Sequence, residues 1–195
     1  MTPEELRQTF LRTGALREGH FRLTSGLHSD QYFQCALLLS DPVLAERMGR
    51  ALAAALPASA GRPETVVSPA IGGLIIGHEA ARALGARSLF AERVNGRMAL
   101  RRGFSVRPGE RVVVIEDVVT TGGSTKEVVE LLASQGARVV AAMSIVCRAK
   151  APPALGAPFT ALAFFPAAAH EAAACPLCRA GRPIEKPGSR QEKPC

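Results

Sequence analysis

Between Arg111 and Thr125 the chain reads RVVVIEDVVTTGGST. An apolar run closes on two adjacent carboxylates, Glu116 and Asp117, and small hydroxyl and glycine residues follow from Thr120 to Thr125. Glycines let a backbone approach an anion, hydroxyls add donors, and the free N–H groups and dipole of a helix start favour negative charge. The loop is therefore read as a phosphate cradle. It is neither of two common phosphate loops. No lysine follows Gly123, as GxxxxGK[ST] requires, and a dinucleotide-binding GxGxxG has its acid about twenty residues later rather than directly before.

Carboxylates beside a phosphate would repel it, so Glu116 and Asp117 must face something neutral or cationic. A ribose diol, Mg²⁺ and a developing oxocarbenium ion all qualify. A ribose 5-phosphate with its phosphate on TTGGS and its hydroxyls on the two acids satisfies every group. Each half alone has a plainer reading, acids that end a strand and a loop that caps a helix. Together on one strand–loop–helix element, they favour the sugar-phosphate site.

The elements that must position this site are legible from Thr2 onward. Thr2-Pro3-Glu4-Glu5 supplies a hydroxyl cap, a first-turn proline and a capping-box glutamate, so a helix starts there and stops near Gly14. HFRLTSGLHSDQYFQC (20–35) has short extended runs broken at Ser25-Gly26, which predicts a hairpin or small hood. Ser40-Asp41-Pro42 opens a second helix through Leu56. Regular alternation follows: strand 65–69, turn 70–73, helix 74–85, strand 86–92, and a tight hairpin at Asn95-Gly96. Strand RVVVIED, helix 124–136, strand 137–148 and a last strand 159–165 complete it. This order predicts an α/β fold, a mostly parallel sheet flanked by helices, in one domain. A small hood occupies about 1–40 and an irregular, proline-rich tail begins at about 175. Ligands of such sheets sit beyond the carboxyl ends of the strands, where Glu116 and Asp117 fall.

Of the 195 residues 47% are hydrophobic, as in ordinary globular chains. No apolar run approaches about 18 residues, and the charged N-terminus lacks a secretion-signal core, so a cytoplasmic protein with no membrane partner is expected. The net charge of +7 favours anionic partners. Eight Phe, one Tyr and no Trp offer no stacking platform with interleaved basic residues, so a phosphorylated small molecule is expected rather than nucleic acid.

Five cysteines, an odd number, do not suggest a disulfide framework. Cys35 and Cys147 read as small core hydrophobes. Cys175-Pro-Leu-Cys178 has the spacing of half a zinc site, but no second CxxC exists. His170 and Cys195 would complete four ligands only by folding the tail back. The tail is read as ordinary, with free thiols, and no protein-held metal is expected. His20, His28, His78 and His170 show no ligand spacing and are read as surface or packing residues.

IEDVVTTGGST resembles the ribose-phosphate signature of the type I phosphoribosyltransferases, which bind phosphoribosyl diphosphate (PRPP) with Mg²⁺. Over nearly its whole length the chain resembles the orotate phosphoribosyltransferases. GALREGHFRLTSGLHSDQYFQCALLLSDP is similar to that family's hood, VVSPAIGGLIIG to its pyrophosphate-side loop, and SIVCR ends where the family has an orotate-binding arginine. The resemblance implies the type I phosphoribosyltransferase fold. It implies that Glu116, Asp117, Val118, Val119, Thr120, Thr121, Gly122, Gly123 and Ser124 hold the ribose phosphate. Ala70 to Gly73, with Ile71 and Gly72 at their centre, approach the diphosphate. Thr120 and Arg148 contact orotate, and Tyr32 and Phe33 border the flat base. A planar guanidinium such as that of Arg148 matches a carboxylate bidentately. The family is dimeric, with a mobile loop reaching into the neighbouring subunit's site, so a homodimer with shared active sites is expected.

The sequence departs from the family pattern in three places. Thr24 stands where many members have lysine, Ile71-Gly72 replaces a Tyr-Lys pair, and ERVNGRMALRRGF replaces a longer loop rich in Lys and His. The diphosphate then falls to Arg93, Arg97, Arg101 and Arg102, which grip phosphate oxygens well but donate protons poorly. Asp117 and Glu116, with Arg97 and Arg101, are the catalytic candidates. The implied reaction joins orotate to PRPP, giving orotidine 5′-monophosphate and diphosphate on the way to UMP. It passes through an oxocarbenium-like state, with Mg²⁺ entering on PRPP as the cofactor. The alternatives are a transferase for another base, or a PRPP-sensing regulator that binds nucleic acid.

Overall fold

The computed structural model describes residues 2–23, 26–166 and 168–187, so Thr24, Ser25 and Cys195 lie outside the described residues. Helix α1 (Pro3–Arg12) opens as its sequence dictates. The Thr2 hydroxyl accepts from the Glu5 N–H, and the Glu5 carboxylate accepts from the Thr2 N–H. Strands β1 (Leu16–Arg22) and β2 (His28–Phe33) then pair antiparallel. A five-residue helix, α2 (Cys35–Leu39), precedes α3 (Pro42–Ala55), which Asp41 caps by accepting from the N–H groups of Val43 and Leu44. The sequence reading did not separate α2, which is too short to show helical periodicity.

The main layer follows the expected alternation: β3 (Thr65–Pro69), α4 (Gly73–Leu84), β4 (Arg87–Val94), β5 (Arg97–Leu100), β6 (Arg111–Val119), α5 (Gly123–Ser134), β7 (Arg138–Cys147) and β8 (Phe159–Phe164). These strands form one six-stranded sheet in the order β5-β4-β3-β6-β7-β8, parallel except for β5. The Asn95-Gly96 pair turns β4 into β5, both residues taking positive φ as the tight hairpin requires.

Side-chain alternation explains why the central strands read as continuous apolar runs. On β6, Val113 and Ile115 pack with α3 and α4 on one face, while Val112 and Val114 pack with α5 on the other. Both faces are covered, so neither set can be polar. Each such fully buried Val or Ile contributes roughly 1.5–3 kcal/mol relative to exposure.

The strand order also fixes the site. From β3 the chain moves to β4 on one side, and from β6 it moves to β7 on the other. The loops that leave the carboxyl ends of β3 and β6 therefore diverge, and a crevice opens between them.

Two expectations are corrected here. First, β6 runs on to Val119, so Glu116 and Asp117 lie inside the strand, with the loop starting three residues later. Second, the hood is not confined to the N-terminal 40 residues, and the expected irregular tail carries one short helix and one backbone bridge among its described residues. A two-residue strand, β9 (Ala169–His170), adds to β2, and the four-residue helix α6 (Pro176–Arg179) follows. Glu185 then bridges to the backbone of β1, accepting from the Arg22 N–H and donating to the His20 carbonyl. The hood is thus a three-stranded sheet, β1-β2-β9, built from both ends of the chain. His20 and His28 are buried inside it beside Cys175 and Cys178, whereas His170 lies outside that group.

Candidate active site

Asp117 and Glu116 are neighbours on a strand, so they must point to opposite faces. Asp117 turns towards the loop after β3. A Cβ placed on Gly72 would sit 2.7 Å from Asp117 Oδ1, so only glycine lets that backbone lie against the carboxylate. The Ala70–Ile71 peptide in this loop is cis, and Ile71 stands 83% exposed. Glu116 turns the other way and accepts a short hydrogen bond from the Thr125 hydroxyl in the first turns of α5. The acids thus lie on opposite faces of the sheet, Asp117 against the loop after β3 and Glu116 against α5.

Burial raises the pKa of both. Desolvation lifts Glu116 to about 7, with the neighbouring Asp117 charge adding to the rise and the Thr125 hydroxyl opposing it. Desolvation also raises Asp117, against the lowering effect of its bond from the Val118 N–H, 2.8 Å from Oδ1. Among the described residues neither acid has a cationic partner. Two oxygen donors held this way suit a hard cation or a sugar diol.

Beyond Val119, the loop closes a pocket of about 260 Å³ lined by Glu116, Thr120, Thr121, Gly122, Ser124 and Glu127, with Val118, Val119 and Gly123 also on its wall. Gly122 has φ +81, and a Cβ there would meet Leu155 at 2.6 Å. That residue must be glycine on both counts. The N–H groups at the start of α5 are free of intrahelical partners and face the pocket's loop.

Arg148 directly follows β7, and its N–H donates to the Val119 carbonyl at 2.8 Å, which sets it beside Thr120. Its guanidinium donates to Ser29 Oγ (3.3 Å) and to the Gln31 carbonyl (3.2 Å), and lies 5.3 Å over the Phe33 ring. Nε is buried without a partner among the described residues, and desolvation lowers the pKa of the group. A half-buried cation with an orphaned donor is prepared for an anion.

The structure brings most of the expected residues together, with two differences. Phe33 is only 8% exposed and packs in the core against Phe10 and Phe165, so it supports Arg148 from below. Tyr32, one residue away on a regular strand, faces the other side of the hood and packs on Phe21. The pair does not present two faces to one ligand.

The loop arginines also divide. Arg93 is held by Glu127 at 2.9 and 3.1 Å, at the rim of the pocket, and Arg102 by Glu92 at 2.7 and 3.0 Å. Arg97 and Arg101 are exposed and form no ion pair among the described residues, so their charge is available to a ligand. Three residues were missed in the sequence. Thr125 orients Glu116, Glu127 holds Arg93, and Ser29 holds Arg148. The first lay in the quoted GGST run; the other two carry no local signal.

The comparisons with known proteins agree with this geometry. Residues 41–156 match the phosphoribosyl transferase domain. The chain is 49% identical over 187 residues to an orotate phosphoribosyltransferase of Carboxydothermus hydrogenoformans, covering 96% of this chain and 98% of that one. An orotate phosphoribosyltransferase of Thermotoga maritima is 51% identical over 185 residues, covering 95% and 98%. Among solved structures, the orotate phosphoribosyltransferase of Aeropyrum pernix superposes with a TM-score of 0.69 at 26% identity, over 82% of this chain and 93% of that one. With its divided crevice, its acidic pair and its hydroxyl–glycine loop, the chain belongs to the orotate phosphoribosyltransferase family.

Proposed function

We propose that the protein transfers the 5-phosphoribosyl group from PRPP to orotate, giving orotidine 5′-monophosphate and diphosphate in the synthesis of UMP. One observation carries the reading: two desolvated acids, without cationic partners among the described residues, stand at the switch point of the sheet, directly ahead of a phosphate-sized loop. The 5′-phosphate rests on Thr120 to Ser124, and the ribose hydroxyls meet Glu116 and Asp117. Arg148, beside Thr120, takes the orotate carboxylate as a bidentate pair.

The carboxylates of Glu116 and Asp117 would suit Mg²⁺ carried in on PRPP, which would supply neutralising charge to the diphosphate. Cleavage of the ribose–diphosphate bond builds positive charge on the sugar, which ionised Asp117 stabilises across the crevice. Arg97 and Arg101 meet the negative charge that develops on the leaving group. Ile71 and Gly72 line the same side. The Asn95-Gly96 hairpin closes over the site and excludes water. The working form is a cytoplasmic homodimer in which this hairpin serves the neighbouring site, with no nucleic acid or membrane partner. The 1–195 chain acts as one phosphoribosyltransferase domain.

The test is a base panel with PRPP and Mg²⁺. Ultraviolet absorbance of orotate falls at micromolar enzyme, while adenine and uracil are left unchanged. Unaltered orotate under those conditions would remove the assignment, and turnover of another base would replace it.

A further inference from the structure

Four side chains from distant parts of the sequence converge in the hood. His20 lies in a bulge of β1, where the register slips between Glu18 and Phe21. The bulge lets His20 and Phe21, adjacent in sequence, both turn inward. His28 begins β2, Cys175 caps α6, and Cys178 lies within it. His20, His28 and Cys175 are buried, with the two histidines 4% and 6% exposed. Their ligand atoms and Cys178 Sγ all lie within 4.8 Å of one another.

We propose that His20 Nε2, His28 Nδ1, Cys175 Sγ and Cys178 Sγ bind one structural Zn²⁺ that fastens the C-terminal tail to the hood. Four of the six edges have tetrahedral lengths, and the other two lie within 4.8 Å. Zn–N bonds of about 2.0–2.1 Å and Zn–S bonds of about 2.3 Å give edges of roughly 3.3 Å for N···N and 3.6 Å for N···S. The corresponding separations are 3.1 Å between the two ring nitrogens, 3.5 and 3.7 Å from His20 Nε2 to the two sulfurs, and 3.2 Å from His28 Nδ1 to Cys178 Sγ.

The surroundings support the same assignment. The other nitrogen of His20, Nδ1, lies 2.9 Å from the Arg182 carbonyl. A carbonyl only accepts, so Nδ1 carries the proton and Nε2 turns its lone pair on the cluster, as a metal-bound imidazole does. The cysteines are free thiols, not a disulfide. Binding releases both thiol protons, and two thiolates neutralise the dication, so the hood would bury no net charge. An S₂N₂ tetrahedron selects zinc, and ligand atoms gathered this closely surround one ion rather than a two-iron cluster. All four positions come from protein, which marks the site as structural.

The physical need is evident from the connections of the tail. Between β8 and its last described residue, the tail joins the hood through polar links that include a two-residue strand, the Glu185 bridge, the Arg17–Glu185 ion pair and the Arg182 carbonyl on His20. So small a sheet has little core of its own, and a metal is a usual remedy. The same β2 that supplies His28 carries Ser29 and Gln31, the two holders of Arg148. The ion would thereby stiffen the base-binding side, a consequence that rests on the proposed function. The expectation of an ordinary tail with no protein-held metal is revised on this geometry, and His20 and His28 replace the suspected His170 and Cys195.

Metal analysis of the purified full-length protein tests this without any assay of turnover. Close to one zinc per chain is expected, with at least a fivefold loss in Cys178→Ser and none in His170→Ala. Because Cys178→Ser could fail to fold, the chelator-stripped wild type is titrated with Co²⁺ alone. Intense visible bands with thiolate charge transfer, and a fall in Tm of about 5–10 °C on stripping that Zn²⁺ restores, are the expected results. A wild-type protein that purifies without metal, gains no colour with Co²⁺ and keeps its Tm in Zn²⁺ would overturn the proposal. Zinc retained in Cys178→Ser would do the same.

Discussion

The two ends of β6 each carry a glutamate, and the surroundings of the two are opposite. Glu110, just ahead of the strand, is buried and saturated. It accepts from Thr65 Oγ1 at 2.5 Å, Arg87 Nη2 at 2.6 Å and the Arg107 N–H at 2.8 Å. Desolvation would raise its pKa, but these hydrogen bonds and the Arg87 charge outweigh it and bring the group down to about 2. Glu116, six residues on, has one hydroxyl partner among the described residues, and desolvation takes it up to about 7. One end of the strand is finished by the fold itself. The other holds acids with no cationic partner among the described residues, which is the ground for the proposed site. A buried carboxylate is therefore no sign of function until its partners are counted.

The largest effect separating the ends is expected from Asp117→Asn. The variant keeps its circular dichroism and loses at least about 100-fold in kcat, near 3 kcal/mol of transition-state stabilisation. Unchanged kinetics would show that the open end does no chemistry. Glu110→Gln is the mirror image. It is expected to cost about 2–3 kcal/mol of stability at pH 7 by denaturant unfolding, with kcat of the folded enzyme unaltered. Since the folded pKa of Glu110 lies below its unfolded value of 4.5, its contribution is present above pH 4.5 and fades towards pH 2. The two stability curves should accordingly converge in acid. Parallel curves down to pH 2 would mean that Glu110 stabilises nothing by its charge.

The same contrast explains what the sequence disclosed. β3, β6 and β7 are buried on both faces, so their apolar runs are continuous, and the phosphate loop is contiguous with the strand that aims it. The fold, and the loop on which the sugar-phosphate site is proposed, were legible for that reason. The hood was legible only as a hairpin. Its bulge at Gly19-His20 breaks the period of two, and the groups that meet His20 come from 155 and 158 positions away. No local pattern encodes such a meeting. Tyr32 and Phe33 part for a related reason: adjacent residues on a strand face opposite sides, and the core takes Phe33.

Arg148 gives a smaller test on the open side. Lysine keeps the charge but loses the fork that spans Ser29, the Gln31 carbonyl and an incoming carboxylate. Arg148→Lys is expected to raise the KM for orotate about tenfold while the KM for PRPP stays within twofold. An equal rise in both would place Arg148 in general scaffolding rather than at the base.

The smallest effect is expected from Glu116→Gln, and its sign is the reverse of that at Glu110. The folded pKa of Glu116 lies above the unfolded value, so protonation favours the fold and ionisation burdens it. Below pH 4.5 the carboxyl is neutral in both states, and Gln should change little. Between pH 4.5 and about 7 the wild type progressively gives up the advantage of holding that proton, and above pH 7 the variant should be the more stable by about 1 kcal/mol, after allowance for the partial exposure of the group. Thermal unfolding of the ligand-free protein at pH 4 and pH 8 measures the crossover. Saturating Mg²⁺ and PRPP should then erase the variant's advantage, because the ligand supplies the partner that ionised Glu116 lacks. A variant less stable than wild type at pH 8 would show that Glu116 is already satisfied by the protein, and the distinction between the two ends of β6 would fail.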